Sequence, residues 1–373
     1  MSAEHGTLSV LLSHALLAFT IEFDNEFERR LVGPSGLTFK EWRKSPERIF
    51  LVSLVMWANY LRFVPGDGIS VGELTEQARQ SRIDSVLNGF KRWRYVVVEP
   101  PQSGTQPPAR DWIVRPTPHL VHCQELWSGL AQLIEGRWRE RFGKTEVETL
   151  RQRLWAFVKL QDARWPQYLP IVSSQNTALA FSSEVSLPAA VSASWGNDAR
   201  ESEMPLFALL AQVLLTYTLD LEEDSDVAMP VGANALRPLS ERWVPIRDLP
   251  VLSGVSKESV AQVLTLLRRK GWVLEEPIPP GRGKQVRLTG EGLEAQAQYT
   301  RLVDTVEARW RSRSETGPLR ESLQAIVGDD LASSRLSTGL VPPDHGWRAA
   351  VPRPEVLPDH PMVLVRGGWP DGS

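Results

Sequence analysis

The stretch IEGRWRERFG, residues 134–143, returns as VEARWRSRSE at residues 306–315, with the glutamate, the tryptophan and three arginines at the same places. Before and through each copy, apolar residues are spaced i, i+3, i+4, i+7 and i+11, which is a stripe along one face of a helix. The stripes are formed by Trp127, Leu130, Ala131, Ile134 and Trp138, and by Tyr299, Leu302, Val303, Val306 and Trp310. One amphipathic helix is therefore predicted twice in the chain.

Four further pairs of segments align in the same order on the N-terminal side of this helix. They are TIEFD (20–24) with TLDLE (218–222), WANYLRFV (57–64) with GANALRPL (232–239), KRWRYVVVEPP (91–101) with RRKGWVLEEPI (268–278), and IVRPTPH (113–119) with VRLTGEG (286–292). Matches in one order predict an internal duplication. We therefore expect a first unit at 1–160, a Ser/Pro-containing linker at 161–203, a second unit at 204–330, and a Pro-rich, flexible tail at 331–373.

The second unit carries the clearer local signals. SKESVAQVLTLLRRKG (256–271) predicts a helix with Ser256 as N-cap and Gly271 just beyond the C-terminus. A shorter helix in PIRDLPVLSG (245–254) precedes it, with Leu249 and Leu252 expected to face inward. WVLEE and KQVRL follow as two strands joined by PIPPGRG, and a long helix starts at Gly290. The predicted fold class is mainly α with small β-hairpins, an α+β arrangement.

Helix, turn, helix, hairpin and long helix is the plan of a winged helix-turn-helix, whose second helix fits the major groove of DNA. LPVLSGVSKESVAQVLTLLRRKGWV, the wing GRGKQVRLT and the helix ending EARWRSR resemble the MarR family of bacterial transcriptional regulators. The first unit resembles the family through ISVGELTEQA, SRIDSVLNGFKRW, YVVVE and DWIVR. Two such units in one chain resemble a tandem MarR-type group of actinobacteria. Since MarR dimers interlock their terminal helices, the resemblance implies an intramolecular pseudo-dimer in a monomeric chain.

The resemblance implies a sequence-specific, DNA-binding transcriptional regulator with double-stranded DNA as its partner. In the second helix, Val260, Val263, Leu264 and Leu267 are expected to face inward, which leaves Lys257, Ser259, Gln262 and Thr265 facing away. Candidate DNA contacts are Ser256, Lys257, Ser259, Gln262, Arg282, Lys284 and Arg287 in the second unit, and Arg79, Ser81, Arg82, Ser85 and Lys91 in the first. Because the two recognition helices differ, the expected operator is asymmetric, with half-sites about 10 bp apart.

The candidate residues also have plainer interpretations, and the first unit departs from the family pattern. Ser256 is also a helix cap, and Lys257 is also a solvated surface charge. Asp84 would repel phosphate. MarR wings usually carry an acidic residue and an arginine at the tip, whereas this chain has GRG in one wing and QSGTQPPAR, with Arg110, in the other.

Local charge supports binding to nucleic acid although the whole chain has a net charge of −3. Residues 247–287 contain eight basic and four acidic residues, a net charge of +4, and residues 70–115 contain seven and five, a net charge of +2. Phosphate contacts supply most non-specific affinity for DNA, so basic modules in a mildly acidic chain suit this partner.

Composition points to the cytoplasm. The single cysteine, Cys123, cannot form a disulfide within the chain, which is typical of a reducing compartment. The N-terminus lacks a basic n-region, and the longest apolar run, IFLVSLVMWA, is about half a membrane span. No nucleophile elbow or Ser/His/Asp arrangement stands out, and GRG is far short of a phosphate-binding loop. We therefore expect no enzyme activity, no cofactor and no membrane partner.

Three weaker patterns leave alternatives open. His119, His122 and Cys123 could bind a metal, but no second cluster completes four ligands, and Cys123 also fits a core thiol. Cys123 could also sense oxidants, as in some MarR relatives. An acidic run, residues 220–226, is typical of a solvated helix end.

Ligand sensing and protein binding stay open as well. MarR proteins bind small aromatic or amphipathic ligands, and fourteen tryptophans would allow an aromatic-lined cavity, although aromatic stripes are typical of cores. The alternative function is a non-enzymatic winged-helix module that contacts proteins and binds DNA weakly or not at all. Salt-dependent retention on heparin or random duplex DNA distinguishes the two functions.

Overall fold

A computed structural model describes residues 6–32, 52–78, 83–100, 110–159, 166–170, 204–281, 283–344, 346–351 and 353–362. Across these ranges the chain is mainly helical, with two small antiparallel sheets of three strands each. The prediction of a mainly α chain with small β-hairpins is therefore confirmed. No helix in the described ranges is long and apolar enough to cross a lipid bilayer.

The same order of elements occurs in both halves. The first half contains α1 (Leu8–Val32), α2 (Leu54–Asn59), β1 (Ile69–Ser70), α3 (Val71–Ala78), α4 (Ile83–Arg92), β2 (Val96–Glu99), β3 (Ile113–Pro116), α5 (Pro118–Trp127), α6 (Leu130–Phe142) and α7 (Lys144–Val158). The second contains α8 (Leu206–Glu222), α9 (Met229–Val231), β4 (Val244–Pro245), α10 (Leu249–Ser253), α11 (Lys257–Arg269), β5 (Val273–Pro277), β6 (Lys284–Leu288), α12 (Gly290–Arg311) and α13 (Thr316–Val327). The pair α5 and α6 stands where α12 is one continuous helix.

The two sheets have the same topology, with the middle strand last in the chain. Their orders are β1–β3–β2 and β4–β6–β5. Val114 pairs with Ile69 in the first sheet, and Val286 pairs with Val244 in the second. Both valines are fully buried. Val114 and Val286 are therefore equivalent, and the predicted alignment of IVRPTPH with VRLTGEG is wrong by one residue.

Matched hydrogen bonds join α5 to the helical turn after α2 in the first half, and α12 to the helical turn after α9 in the second. The side-chain amide of Gln124 donates to the carbonyls of Leu61 and Val64, and that of Gln296 donates to the carbonyls of Leu236 and Leu239. Thr117 and Thr289 cap the helices that start after β3 and β6, each accepting a backbone N–H through its hydroxyl. The two glutamines are 172 residues apart, and so are the two threonines. The segments IEGRWRERFG and VEARWRSRSE have the same offset.

The halves interlock through their first and last helices. α1 packs against α8 and α13, and α7 packs against α8 and α13. Arg151 on α7 donates to the carbonyl of Met204, at 2.8 Å, just before the first helix of the second half. Arg320 on α13 donates to the carbonyl of Gly6, at 2.7 Å, just before the first helix of the first half. The last helix of each half thus holds the start of the other half.

Four carboxylates on α1 are buried. Each has a partner: Glu22 binds Trp138 and Arg141, Asp24 binds Arg348 and the backbone of Leu54, Glu26 binds Arg29, Arg30 and Arg137, and Glu28 binds the backbone of residues 347 and 348. Burial raises the pKa of Asp24 to about 7, against the opposing effect of Arg348. Charged groups are tolerated in a core only when paired in this way.

Part of the region beyond residue 330 is packed against the rest of the protein. Leu336, Leu340, Leu357 and Met362 are buried in the common core. For these residues the structure differs from the predicted flexible tail, and two kinds of contact hold them. Apolar residues separated by prolines still bury area at about 25 cal/mol per Å², and the backbone of residues 347 and 348 and the side chain of Arg348 satisfy two of the buried acids of α1, Glu28 and Asp24.

The predicted linker contains an ordered stretch. Residues 166–170 are described and buried, and the hydroxyl of Tyr168 lies 2.8 Å from that of Thr20 on α1. The rest of the linker, 161–165 and 171–203, lies outside the described residues.

Candidate nucleic-acid interface

The helix pair α10 and α11 is built by local signals. Gly254, between them, has a φ of 71°, a left-handed conformation that glycine adopts without strain. Ser256 then caps α11, its hydroxyl accepting the N–H of Ser259 at 3.0 Å. Val260, Val263, Leu264 and Leu267 are buried, as predicted. This places the start of α11 at the surface.

The exposed side of α11 includes only part of the predicted set. Lys257 is exposed, and Gln262 and Ser256 are half-buried. Ser259 was expected to face away from the core, but its side chain is fully buried. Its hydroxyl lies 2.9 Å from that of Ser256 and so turns back toward the cap. Ser259 is therefore removed from the set of candidate DNA contacts.

The basic residues of this region differ in how they are engaged. Arg268 and Lys284 both lie 3.5 Å from the carboxylate of Glu275. Lys257 and Arg269 are exposed, and within the described residues neither makes an ion pair. Exposed pairs such as Lys284 with Glu275 contribute about 0–1 kcal/mol, so a phosphate can compete for these cations.

Arg269 is a further exposed cation, and it is not among the contacts predicted from the sequence. Three basic residues in succession at a helix C-terminus suit the helix dipole, so the sequence alone does not show which of them makes no ion pair. Lys270 donates to the backbone carbonyl of Asp226 at 3.0 Å and lies over the ring of Trp272. Arg268 pairs with Glu275. Within the described residues, Arg269 is thus the member of the run that can meet a phosphate without giving up another partner.

The hairpin lies directly after α11 and carries the other candidates. β5 and β6 pair antiparallel from Val273 opposite Leu288 to Pro277 opposite Lys284. Lys284 is exposed near the tip, whereas Arg287 is half-buried with its guanidinium 4.8 Å from the ring centre of Trp243. Arg282 lies outside the described residues. Of the two wing candidates that the structure describes, Lys284 is thus the one displayed toward solvent.

In the first half, most of the predicted contacts cannot be placed. Arg79, Ser81 and Arg82, and the side chain of Ser85, lie outside the described residues. Lys91 is exposed in the last turn of α4. Near the wing, Arg110 pairs with Glu76 at 2.6 Å and Arg115 with Glu99 at 2.9 Å. The described cations of this wing are therefore already paired.

The region around Cys123 has the features of a core thiol. Its sulfur is fully buried, 3.7 Å from Nε2 of His119, and burial raises the pKa of the thiol to about 12. Burial, followed by the charge on His122, lowers the pKa of His119. No group of three metal-ligating side chains occurs among the residues that the structure describes. Because thiolates are the reactive species, this environment disfavours redox sensing.

Two acids of the run 220–226 are half-buried and hydrogen-bonded to other elements, whereas the prediction was a solvated helix end. Asp220 accepts hydrogen bonds from Trp310 and Arg313. Glu222 accepts the backbone N–H of Met229 at 3.1 Å. Their partners lie on other elements, so the sequence run alone could not reveal them.

Comparison of the chain with models of known protein families gives no match, and a search of curated proteins gives none either.

Proposed function

We propose that this protein is a sequence-specific DNA-binding transcriptional regulator made of two winged helix-turn-helix units that form a pseudo-dimer within one chain. The observation that carries the proposal is the start of α11. A capped helix follows a tight turn, with Lys257 exposed in its first turn. A helix end of this kind, beside a hairpin that displays Lys284, suits the major groove and its flanking phosphates.

The interlocked helices support the single-chain part of the proposal. Each half supplies one helix pair and one hairpin, and the last helix of each half holds the start of the other. The surfaces of α4 and α11 carry different residues, so the two half-sites would differ as well. The proposed operator is asymmetric, with half-sites about 10 bp apart, and the chain would act in the cytoplasm as a monomer.

Selection of binding sites from random duplexes, at a fixed salt concentration, tests this function. The expected result is an asymmetric consensus bound by one chain, with affinity that falls steeply as salt is raised. A perfectly palindromic consensus would refute binding as a single chain. Lack of any salt-dependent retention on duplex DNA would refute the function.

A second candidate, docking of a protein partner, is favoured by apolar exposure on the same lobe. Val251 and Leu252 on α10 are 61% and 46% exposed, and Leu274 on β5 is 48% exposed. Leu252 had been expected to face inward. A module that contacts proteins through these residues would lack salt-dependent retention on duplex DNA, so the same experiment separates the two candidates.

The binding of a small aromatic or amphipathic ligand also stays a proposal. A small apolar pocket lies in the second half, between the turn after α9, α10 and α11. It is lined by Leu239, Leu249, Val260 and Leu264 among others, and as it stands it has room for about one water molecule. It lies inside one lobe and not between the lobe and the central helices. Adding hydrophobic dyes to the protein in solution and measuring its affinity for DNA would test whether such a ligand alters DNA binding.

A further inference from the structure

Two short segments occupy equivalent places in the two halves. We name residues 166–170 strap 1 and residues 356–362 strap 2. In strap 1 the hydroxyl of Tyr168 lies 2.8 Å from that of Thr20, and in strap 2 Nε2 of His360 lies 2.9 Å from the hydroxyl of Thr218. Thr20 and Thr218 are the aligned threonines of TIEFD and TLDLE. The straps thus meet the same position on the first helix of their own halves.

The second contact of each strap is also matched. Asn59 donates to the carbonyl of Leu169 at 3.1 Å, and Asn234 donates to the carbonyl of His360. Strap 2 returns a further bond, from the N–H of His360 to the side-chain oxygen of Asn234 at 3.1 Å. Asn59 and Asn234 are the aligned asparagines of WANYLRFV and GANALRPL. Each strap therefore bridges two elements of its own half.

Each strap then crosses to the opposite half. Gln212 on α8 donates to the carbonyl of Pro166 in strap 1 at 3.4 Å. Ser13 on α1 donates to the carbonyl of Pro358 in strap 2 at 2.9 Å. Pro358 and Leu357 are buried, so this crossing is part of the core and not a surface contact.

Strap 2 also touches the turn that precedes α11. A Cβ placed on Gly254 would lie 2.7 Å from the nitrogen of Pro358 and 2.8 Å from the carbonyl carbon of Leu357. The turn and the strap thus meet backbone to backbone, at a separation that leaves no room for a side chain. The positions between α3 and α4 of the first half, residues 79–82, lie outside the described residues.

We propose that strap 2 is a positioning element that fixes the α10–α11 turn of the second half against α1 of the first. A change at α1 then reaches the start of α11 through Ser13, Pro358 and Gly254. The effect on DNA rests on the proposed function, whereas the mechanical coupling does not. Loosening strap 2 weakens DNA binding although no residue that faces DNA is changed.

The variant Ser13→Ala tests the coupling in the full chain, because Ser13 belongs to the other half. Loss of its hydrogen bond leaves the Pro358 carbonyl buried without that donor, which should raise local opening about tenfold. We expect hydrogen exchange to rise by that factor both in residues 356–362 and in residues 249–260. Gln212→Met, which removes the matched crossing bond of strap 1, should leave exchange in residues 249–260 unchanged.

Duplex binding supplies the second readout. Ser13→Ala should lower the affinity about threefold or more with an unchanged salt slope, because no phosphate contact is lost. Leu357→Ala, which opens a cavity in strap 2, should do the same. The coupling is overturned if neither variant raises hydrogen exchange in residues 249–260, whether or not strap 2 itself becomes looser. The positioning role is overturned if the turn loosens and affinity stays constant. If the wild type binds no duplex at all, the proposed function fails while the exchange data still decide the coupling.

Discussion

The indole N–H of Trp310 donates to the carboxylate of Asp220 at 2.8 Å, and Asp220 also accepts from Arg313 at 2.9 Å. The first half repeats this arrangement, where Trp138 donates to Glu22 at 3.1 Å and Arg141 binds the same carboxylate. Both tryptophans are fully buried. Trp310 also stacks on Phe157 of the first half, with ring centres 5.4 Å apart. The segments RWRER and RWRSR, around Trp138 and Trp310, therefore fasten α6 to α1 in the first half and α12 to α8 in the second.

Removing the carboxylate at this position should cost stability. Asp220→Ala leaves a buried indole N–H without its acceptor, and we expect a loss of about 2 kcal/mol in the free energy of unfolding. Urea titration followed by tryptophan fluorescence measures it. Asp224→Ala is the matched control, since Asp224 is exposed and lies 3.9 Å from Arg309. Its change should be below about 0.5 kcal/mol. Equal losses in the two variants would contradict the role of Asp220.

Arg94 and Gly271 offer a second comparison between the halves. They occupy aligned positions after α4 and α11, with φ values of 63° and 73°. A residue with a side chain pays about 1–2 kcal/mol in this left-handed region, against which glycine loses about 0.5–1 kcal/mol of chain entropy. Arg94→Gly should therefore stabilise the chain by up to about 1 kcal/mol.

The reverse change, Gly271→Ala, should destabilise by about 1 kcal/mol. A steric clash does not contribute to this loss of stability, because the atom nearest to an added Cβ is Oε2 of Glu291 at 3.4 Å. Thermal unfolding of both variants measures the two effects. Changes of the same sign would show that the backbone at these positions is not the cause.

Local features of the chain could be predicted from the sequence, because their causes lie within a few residues. The cap at Ser256, the buried stripe of α11 and the hairpin that follows it are of this kind. Ser259 was misassigned, since helical periodicity places it outward while a short hydroxyl can still fold back onto the capping serine.

Features that depend on distant partners could not be predicted. Glu28 is satisfied by backbone N–H groups of residues 347 and 348, more than 300 positions away. The straps PQYLP and PDHPM share little beyond prolines, because their equivalence lies in backbone carbonyls offered to Asn59 and Asn234. Such contacts leave no periodic pattern, and the sequence suggested a linker and a flexible tail instead.

Lys257 provides a direct test of the candidate interface. If its ammonium contacts a phosphate at the start of α11, Lys257→Ala should lower duplex affinity about tenfold and reduce the salt slope by about 1. Lys144→Ala is the matched control, because Lys144 is equally exposed but lies at the start of α7. Fluorescence anisotropy at several salt concentrations gives both quantities. An unchanged slope for Lys257→Ala would remove this residue from the interface.

The histidines around strap 2 should make its stability depend on pH. Burial lowers the pKa values of His360 and His14 to about 4. The folded state therefore favours the neutral imidazoles, while the unfolded chain takes up protons near pH 6.5. The resulting stability is fully present above pH 6.5 and is lost as pH falls toward 4, by at most about 3 kcal/mol for each group. Asp359 opposes this trend, because burial raises its pKa to about 6 against the effect of Arg237.

His360→Tyr isolates the contribution of one histidine, because strap 1 already has a tyrosine at the equivalent contact with Thr20. The other titratable or charged residues around strap 2 are not substituted in this variant. They are His14 on α1, Glu222 on α8, Arg237, Tyr299 on α12 and Asp359. The free energy of unfolding of the wild type should fall relative to the variant by about 1.4 kcal/mol per pH unit between pH 6.5 and 4.5. The converse variant, Tyr168→His, should acquire a similar dependence in the first half. Parallel pH profiles for the wild type and His360→Tyr would mean that His360 takes up its proton as readily in the folded chain as in the unfolded one, which its complete burial against Thr218 argues against.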